Sequence, residues 1–150
     1  MPKPSDAIPE SHYDIVQGNN YAQVAMVMPN GSLANNVVAF VWDGEFVRFS
    51  TLKARQKYKN LANDQRVCLC IVDPANPWRY LEIRGNVEIT DDTDRSFINS
   101  IAKKYMKQDV YPFDQPGDER VTFKVIPTRI RAEYVHAADG TPENFGIQRG

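Results

Sequence analysis

Apolar residues fall along this chain in short runs separated by turn residues, with one long helical stripe near the C-terminal third. Pro9-Glu10 followed by Asp14, Ile15 and Val16 predicts a short helix stopped by Gly18. Tyr21 to Met28 reads as a strand, and Pro29-Asn30-Gly31-Ser32 has hairpin turn chemistry. Asn36 to Trp42 reads as the return strand, Asp43-Gly44 as a second turn and Glu45 to Ser50 as a third strand, so an antiparallel meander is expected. Val67 to Val72, VCLCIV, is almost continuously apolar, as in a strand covered on both faces. Asp73 to Pro77 reads as loop. Trp78 to Thr90 alternates, with Leu81, Ile83, Val87 and Ile89 on one side, Glu82, Arg84 and Glu88 on the other, and a bulge expected at Gly85.

Asp91 to Gln108 carries the helical stripe: Phe97, Ile98, Ile101, Ala102, Tyr105 and Met106, after an acidic start and before Lys103, Lys104 and Lys107 near its end. Val110 to Glu119 reads as loop. Arg120 to Pro127 and Thr128 to His136 read as a strand pair or as one strand broken at Pro127. Six or seven strands joined by hairpins, with one long helix and one or two short ones, exclude a doubly wound sheet and predict a mostly β antiparallel barrel with flanking helices. One domain is expected over residues 1–150, with a loose arm at 1–8 and a tail at 137–150.

Composition changes this picture little. The chain has 150 residues, 42% apolar and 25% charged, enough for one domain with a real core. A net charge of −1 provides no broad basic field, which argues against a nucleic-acid or membrane-surface binder. Cys68 and Cys70 share one face of a strand, a poor geometry for a disulfide, and read as buried free thiols of a cytoplasmic protein. Their strand is apolar on both faces, yet a small barrel has one interior. The other face needs a cover, and a homodimer is expected.

The candidate chemistry lies in FSTLKARQKYKNLANDQR, from Phe49 to Arg66. A strand feeds the hydroxyl pair Ser50-Thr51, then Lys53, Arg55, Lys57 and Lys59 with no acidic residue between them, then a short helix. Backbone N–H groups at a helix start, aided by cations, can seat a phosphate. On a helix Arg55 and Lys59 share a face and Lys57 points elsewhere. If the loop persists to about Lys57, all three converge. The competing reading is a solvated basic helix face. No Ser-His-Asp order and no paired acids stand out, and His12 and His136 lack metal-ligand spacing.

The ordered set of a PNGS turn, a DG turn, a strand ending in FST, R-x-K-x-K-N-L, D-x-R-V before an apolar strand, Trp78 and Tyr80, and the closing VIPTRIRAE resembles the pyridoxamine 5'-phosphate oxidase-like split barrels. Within them it is most similar to the flavin/deazaflavin oxidoreductase branch that uses coenzyme F-420. The resemblance runs from about Val16 to Tyr134. It implies an enzyme: a homodimer with cofactor clefts between subunits, F-420 or FMN as cofactor, and hydride transfer to an unsaturated small molecule. A non-catalytic flavin-, deazaflavin- or tetrapyrrole-binding protein is the other member type. Carried over residue by residue, the phosphate falls on Arg55, Lys57 and Lys59, and Asn60, Ser50 and Thr51 complete the pocket. Asn35, Asn36, Val37 and Val38 run beside the ring, and Trp78 and Tyr80 reach the partner's cleft. The C-terminal end has Arg129 and Arg131 but no His-Arg pair, which disfavours vitamin-B6 oxidation.

Overall fold

The computed structural model describes residues 7–134. The strands are β1 Ala22–Val27, β2 Leu33–Val38, β3 Val41–Trp42, β4 Val47–Leu52, β5 Arg66–Asp73, β6 Asn76–Asp91 and β7 Arg120–Tyr134. A 3-10 turn at Glu10–His12 runs into α1, Tyr13–Gln17; α2 is Gln56–Asn63 and α3 is Ser96–Met106. All pairings are antiparallel, in one sheet of order β2-β1-β5-β6-β7-β4-β3. This is a mostly β split barrel with seven strands.

Strands β2 and β3 are the two edges of that sheet, yet only Ala39 and Phe40 join them. Three residue steps from Val38 to Val41 span at most about 11 Å. The sheet is therefore curled until its edges meet at this corner, and it stays split elsewhere. Helix α3 fastens the corner. The Tyr105 hydroxyl donates to the Asn20 carbonyl at 2.6 Å and accepts from the Phe40 N–H at 3.2 Å. The Lys104 ammonium donates to the Phe40 carbonyl at 2.9 Å.

Inside the curl, alternation does the work. Val67, Leu69 and Ile71 of β5 point inward, as do Leu81 and Ile83 of β6, Phe49 of β4 and Phe123 of β7. Phe49 lies opposite Phe123, their rings 4.9 Å apart. Ile15 and Val16 of α1 and Leu61 of α2 join the same core. Each such side chain contributes about 1.5–3 kcal/mol on burial, against about 0–1 kcal/mol for an exposed ion pair, so the core holds the barrel and the surface charges do not. Gly85 sits at a register shift against Pro127, where a Cβ would lie 2.1 Å from the Ile126 carbonyl oxygen. The expected bulge is there, and only glycine fits it.

Some expectations are corrected. The return strand starts at Leu33 and ends at Val38, and Val41–Trp42 is a separate strand at the opposite edge, so the first three strands do not form a continuous meander. Strand β6 begins at Asn76, leaving Pro74-Ala75 as a tight turn. The long helix begins at Ser96, not Asp91. The acidic residues ahead of it act as caps: Asp92 accepts from the N–H groups of Phe97 and Ile98 at 3.0 and 2.9 Å, and Asp94 from that of Ser96 at 3.0 Å. Of the two readings offered for the C-terminal stretch, the single strand holds: Arg120 to Tyr134 is one strand, irregular at Pro127. The arm's first six residues, His136 and the tail lie outside the described residues. Cys68 and Cys70 are free and half-buried on the outer face of β5, and burial, then Glu82, pushes both thiols up.

Candidate functional site

A cavity of about 310 Å³ opens beside the corner, between the ends of β2 and β4 and under α3. Val37, Val38 and Ala39 form one wall, Ser50, Thr51 and Leu52 the other, and Ile98, Ile101 and Tyr105 the roof. Arg55 and Lys57 stand at the start of α2, and Tyr111 and Arg120 complete the lining. Strand β3 pairs with β4 only at Arg48 and Val47, so from Phe49 to Leu52 β4 has no strand partner on that side. Strand β2 is an edge throughout. Two runs of backbone N–H and C=O groups therefore border the cavity, suited to the polar rim of a flat ligand.

Ser50-Thr51 does not start the helix. Both residues lie in β4, and α2 begins five residues after Thr51, with Arg55 as its N-cap and no side-chain cap. The loop ends at Arg55, before Lys57, so the expected convergence of all three cations is not met. Arg55 precedes the helix and Lys57 is in its first turn, and both reach the cavity, whereas Lys59 is exposed elsewhere on α2. Among the described residues, Arg48, Arg66, Arg79, Arg84, Arg95, Arg120 and Arg131 each pair with a carboxylate. Lys53 pairs with Asp91 at 3.1 Å. Arg55 and Lys57 pair with none, and no Asp or Glu lines the cavity. Burial lowers the pKa of the Lys57 ammonium, and the Arg55 guanidinium lowers it further. Two neighbouring cations without a counter-charge among the described residues have the chemistry to hold an anion.

The remaining expected residues are placed as follows. Asn60 is 2% exposed, turned away from the cavity, and its side-chain oxygen accepts from Gln56 at 2.8 Å. Asn35 and Asn36 are exposed on β2 and do not line the cavity. Trp78 and Tyr80 lie on the outer face of β6, half-buried, and do not reach the cavity of their own chain. Thr51 is on the core-facing side of β4 with Phe49, so the hydroxyl that faces the cavity is that of Ser50.

Ser50 belongs to a network that the sequence does not reveal. Its hydroxyl donates to the Val121 carbonyl at 2.8 Å and accepts from Arg120 Nη1 at 3.1 Å. Arg120 is held in turn by Asp114, with Nε to Oδ2 at 2.9 Å and Nη2 to Oδ1 at 2.6 Å, and packs 5.0 Å from the Tyr111 ring. Arg95 Nη1 also donates to Asp114, whose carboxyl is held below the usual range chiefly by the Arg120 hydrogen bond. Arg120 opens β7 and lies opposite Leu52. Its relevance depends on the pairing of strands 68 residues apart, which no local pattern announces. Tyr105, Ile98 and Ile101 read as core positions in the sequence and serve here as cavity roof.

A larger cleft of about 460 Å³ crosses the outer face of β1, β5 and β6. Its arginines, Arg66 and Arg84, are already matched by Asp64 and Glu82. Among the described residues no group of three or more His, Cys, Asp or Glu side chains could hold a metal ion, and no helix is long and apolar enough to cross a membrane.

Comparison with known proteins agrees with this architecture. The profile of the Pyridoxamine 5'-phosphate oxidase family matches residues 8–134. An F-420 reductase of known structure is 35% identical over 83% of this chain and 98% of its own, with a TM-score of 0.73. A conserved hypothetical protein from Mycobacterium tuberculosis is 21% identical, over 95% of this chain and 99% of its own, with a TM-score of 0.67. A heme binding protein from Mycobacterium smegmatis shares the fold at 18% identity and a TM-score of 0.66, with 89% of this chain covering 56% of it. No curated protein matches. With its seven-stranded split barrel and a family match across all but the termini, the chain belongs to the pyridoxamine 5'-phosphate oxidase-like family, in relation to its F-420 branch.

Proposed function

We propose that this protein is a deazaflavin-dependent oxidoreductase, binding coenzyme F-420 in the split of the barrel and reducing an unsaturated small molecule by hydride transfer. The observation that carries the reading is the pair Arg55 and Lys57, without carboxylate partners among the described residues, at one end of a cavity bordered by two open strand edges. The pair suits the cofactor's phosphate, and the strand edges suit its ring. Similarity at 35% identity to an F-420 reductase supports the choice of cofactor. The bound coenzyme would supply the hydride; the chain's part is to hold it, aim it and keep water from it. Ile98, Ile101 and Val38 provide the apolar surface for that exclusion. A homodimer fits the same reading, with Trp78 and Tyr80 on the outer face of β6 reaching the partner's cavity.

The test is a fluorescence titration of the apo-protein with F-420 and with FMN. F-420 is expected to bind more tightly. Replacing Arg55 or Lys57 by Ala removes charge-assisted hydrogen bonds worth about 1.5–3 kcal/mol each, so affinity should fall about ten- to a hundredfold. The loss should shrink as salt rises, because the parent's attraction is screened too. The melting temperature should hold, since neither cation is paired with a carboxylate among the described residues. Lys103→Ala, an exposed cation on α3, is the control. Unchanged binding of both cofactors by both cavity variants would reduce the stretch to a solvated basic helix start. Tighter binding of FMN would transfer the reading to an FMN enzyme on the same seat, and saturable binding of a tetrapyrrole alone would make it a carrier.

A further inference from the structure

Ser50 both donates and accepts a hydrogen bond within the described chain. Its one proton is committed to the Val121 carbonyl at 2.8 Å, and one lone pair takes the Arg120 N–H at 3.1 Å. A hydroxyl has one proton and two lone pairs, so one lone pair is left. Arg120 keeps the arrangement from reversing. A guanidinium cannot accept, so the Ser50 proton cannot turn toward it, and the Asp114 fork holds the guanidinium in place with its side chain only 8% exposed. Ser50 therefore meets the cavity as an acceptor. In this arrangement a phosphate or carboxylate oxygen at Ser50 would set acceptor against acceptor, and the cavity cations without a carboxylate partner among the described residues are Arg55 and Lys57.

We propose that Ser50, oriented by Arg120, is a specificity residue that requires a hydrogen-bond donor on the neutral part of the ligand, either an N–H on the ring edge or a hydroxyl of the chain between ring and phosphate. This rests on the cofactor reading above and goes beyond it by stating which ligand groups the wall accepts. A ligand carrying a carbonyl or a methylated nitrogen at that place would set acceptor against acceptor, or a methyl group against Ser50. Arg120 is a positioning residue, acting through Ser50.

The experiment compares the binding of FMN with two analogues, one N-methylated at the ring imide and one lacking the ribityl 2'-hydroxyl. FMN serves as the probe because it carries both kinds of donor. The parent should bind at least one analogue about tenfold more weakly than FMN. Ser50→Ala should bring that ratio close to one while Arg55→Ala weakens all three ligands alike. Ser50→Thr, which keeps the hydroxyl on a strand position that tolerates a β-branched residue, should keep the ratio. A general loss of fold would weaken every ligand equally and would not move a ratio. If the parent binds FMN and Ser50→Ala preserves the parent's ratio for both analogues, the Ser50 assignment is overturned and the cofactor reading stands. If the parent binds neither F-420 nor any of these flavins, both fall.

Discussion

Lys104 occupies the last turn of α3, its ammonium 2.9 Å from the Phe40 carbonyl and 4.3 Å above the Phe40 ring. In the sequence it is one of three lysines near a helix C-terminus. Burial lowers its pKa from 10.5 to about 8. Between those values the unfolded chain holds the proton that the folded chain has released, so unfolding takes up a proton and stability rises with pH across the window. Below about pH 8 the folded chain bears the full cost of the half-buried charge. Lys104→Met removes the titration while the Tyr105 hydroxyl remains 3.0 Å from the same carbonyl. Melting temperatures of parent and variant, measured from pH 7 to pH 10, should diverge in the parent's favour as pH rises. A constant difference would return Lys104 to the solvent.

At the scale of elements, α3 matters most, because it roofs the cavity and fastens the corner where the sheet edges meet. Its first N–H groups have no partners within the helix and are satisfied by Asp94 and Asp92. Asp92 is 4% exposed and serves two of them. Asp92→Ala should cost about 1–2 kcal/mol, the upper part of the range for a lost helix cap. Asp94→Ala, at an exposed site with one bond, should cost less. Urea unfolding followed by circular dichroism measures both, and equal midpoints for the two variants would contradict the cap assignment. Because Ile98 and Ile101 lie just inside this helix start, Asp92→Ala should also weaken cofactor binding.

At the scale of the whole molecule, the outer face of β1, β2 and β5 is the unusual surface. Leu33 is 80% exposed and Val37 59%, and both lie beside Val27 and Gln23 in register, with Cys68 and Cys70 one strand further on. A monomer would leave Leu33 and Val37 in water. A second copy is the proposed cover, placing Trp78 and Tyr80 near the other chain's cavity. Sedimentation velocity at micromolar protein should show twice the chain mass. A lone monomer boundary would argue against clefts shared by two chains, while leaving the Arg55–Lys57 seat within one chain intact.

Strand and helix identities were legible wherever local chemistry decides: the alternation in β6, the glycine turns, the Gly85 bulge and the helical stripe of α3 all follow from side-chain period and backbone freedom. The cation cluster was equally visible, because charge without nearby acid needs no structure to notice. Where Asn36 to Trp42 should break was not visible. Ala39-Phe40 continues the apolar pattern, and the break exists only because the sheet's opposite edge arrives there. Lys59 and Asn60 show the same limit, since helix phase at α2 depends on where its first turn begins.

The sequence by itself determined the antiparallel β class, most element types and the cationic character of the stretch after β4, since these rest on interactions between near neighbours. Only the tertiary structure decided which cations converge, that Ser50 faces the cavity and Thr51 the core, and that Arg120 and Asp114 hold Ser50 as an acceptor. Those facts depend on β4 lying against β7 and on the curl that brings β2 to β3, contacts made by burial across long sequence separations that no local pattern encodes.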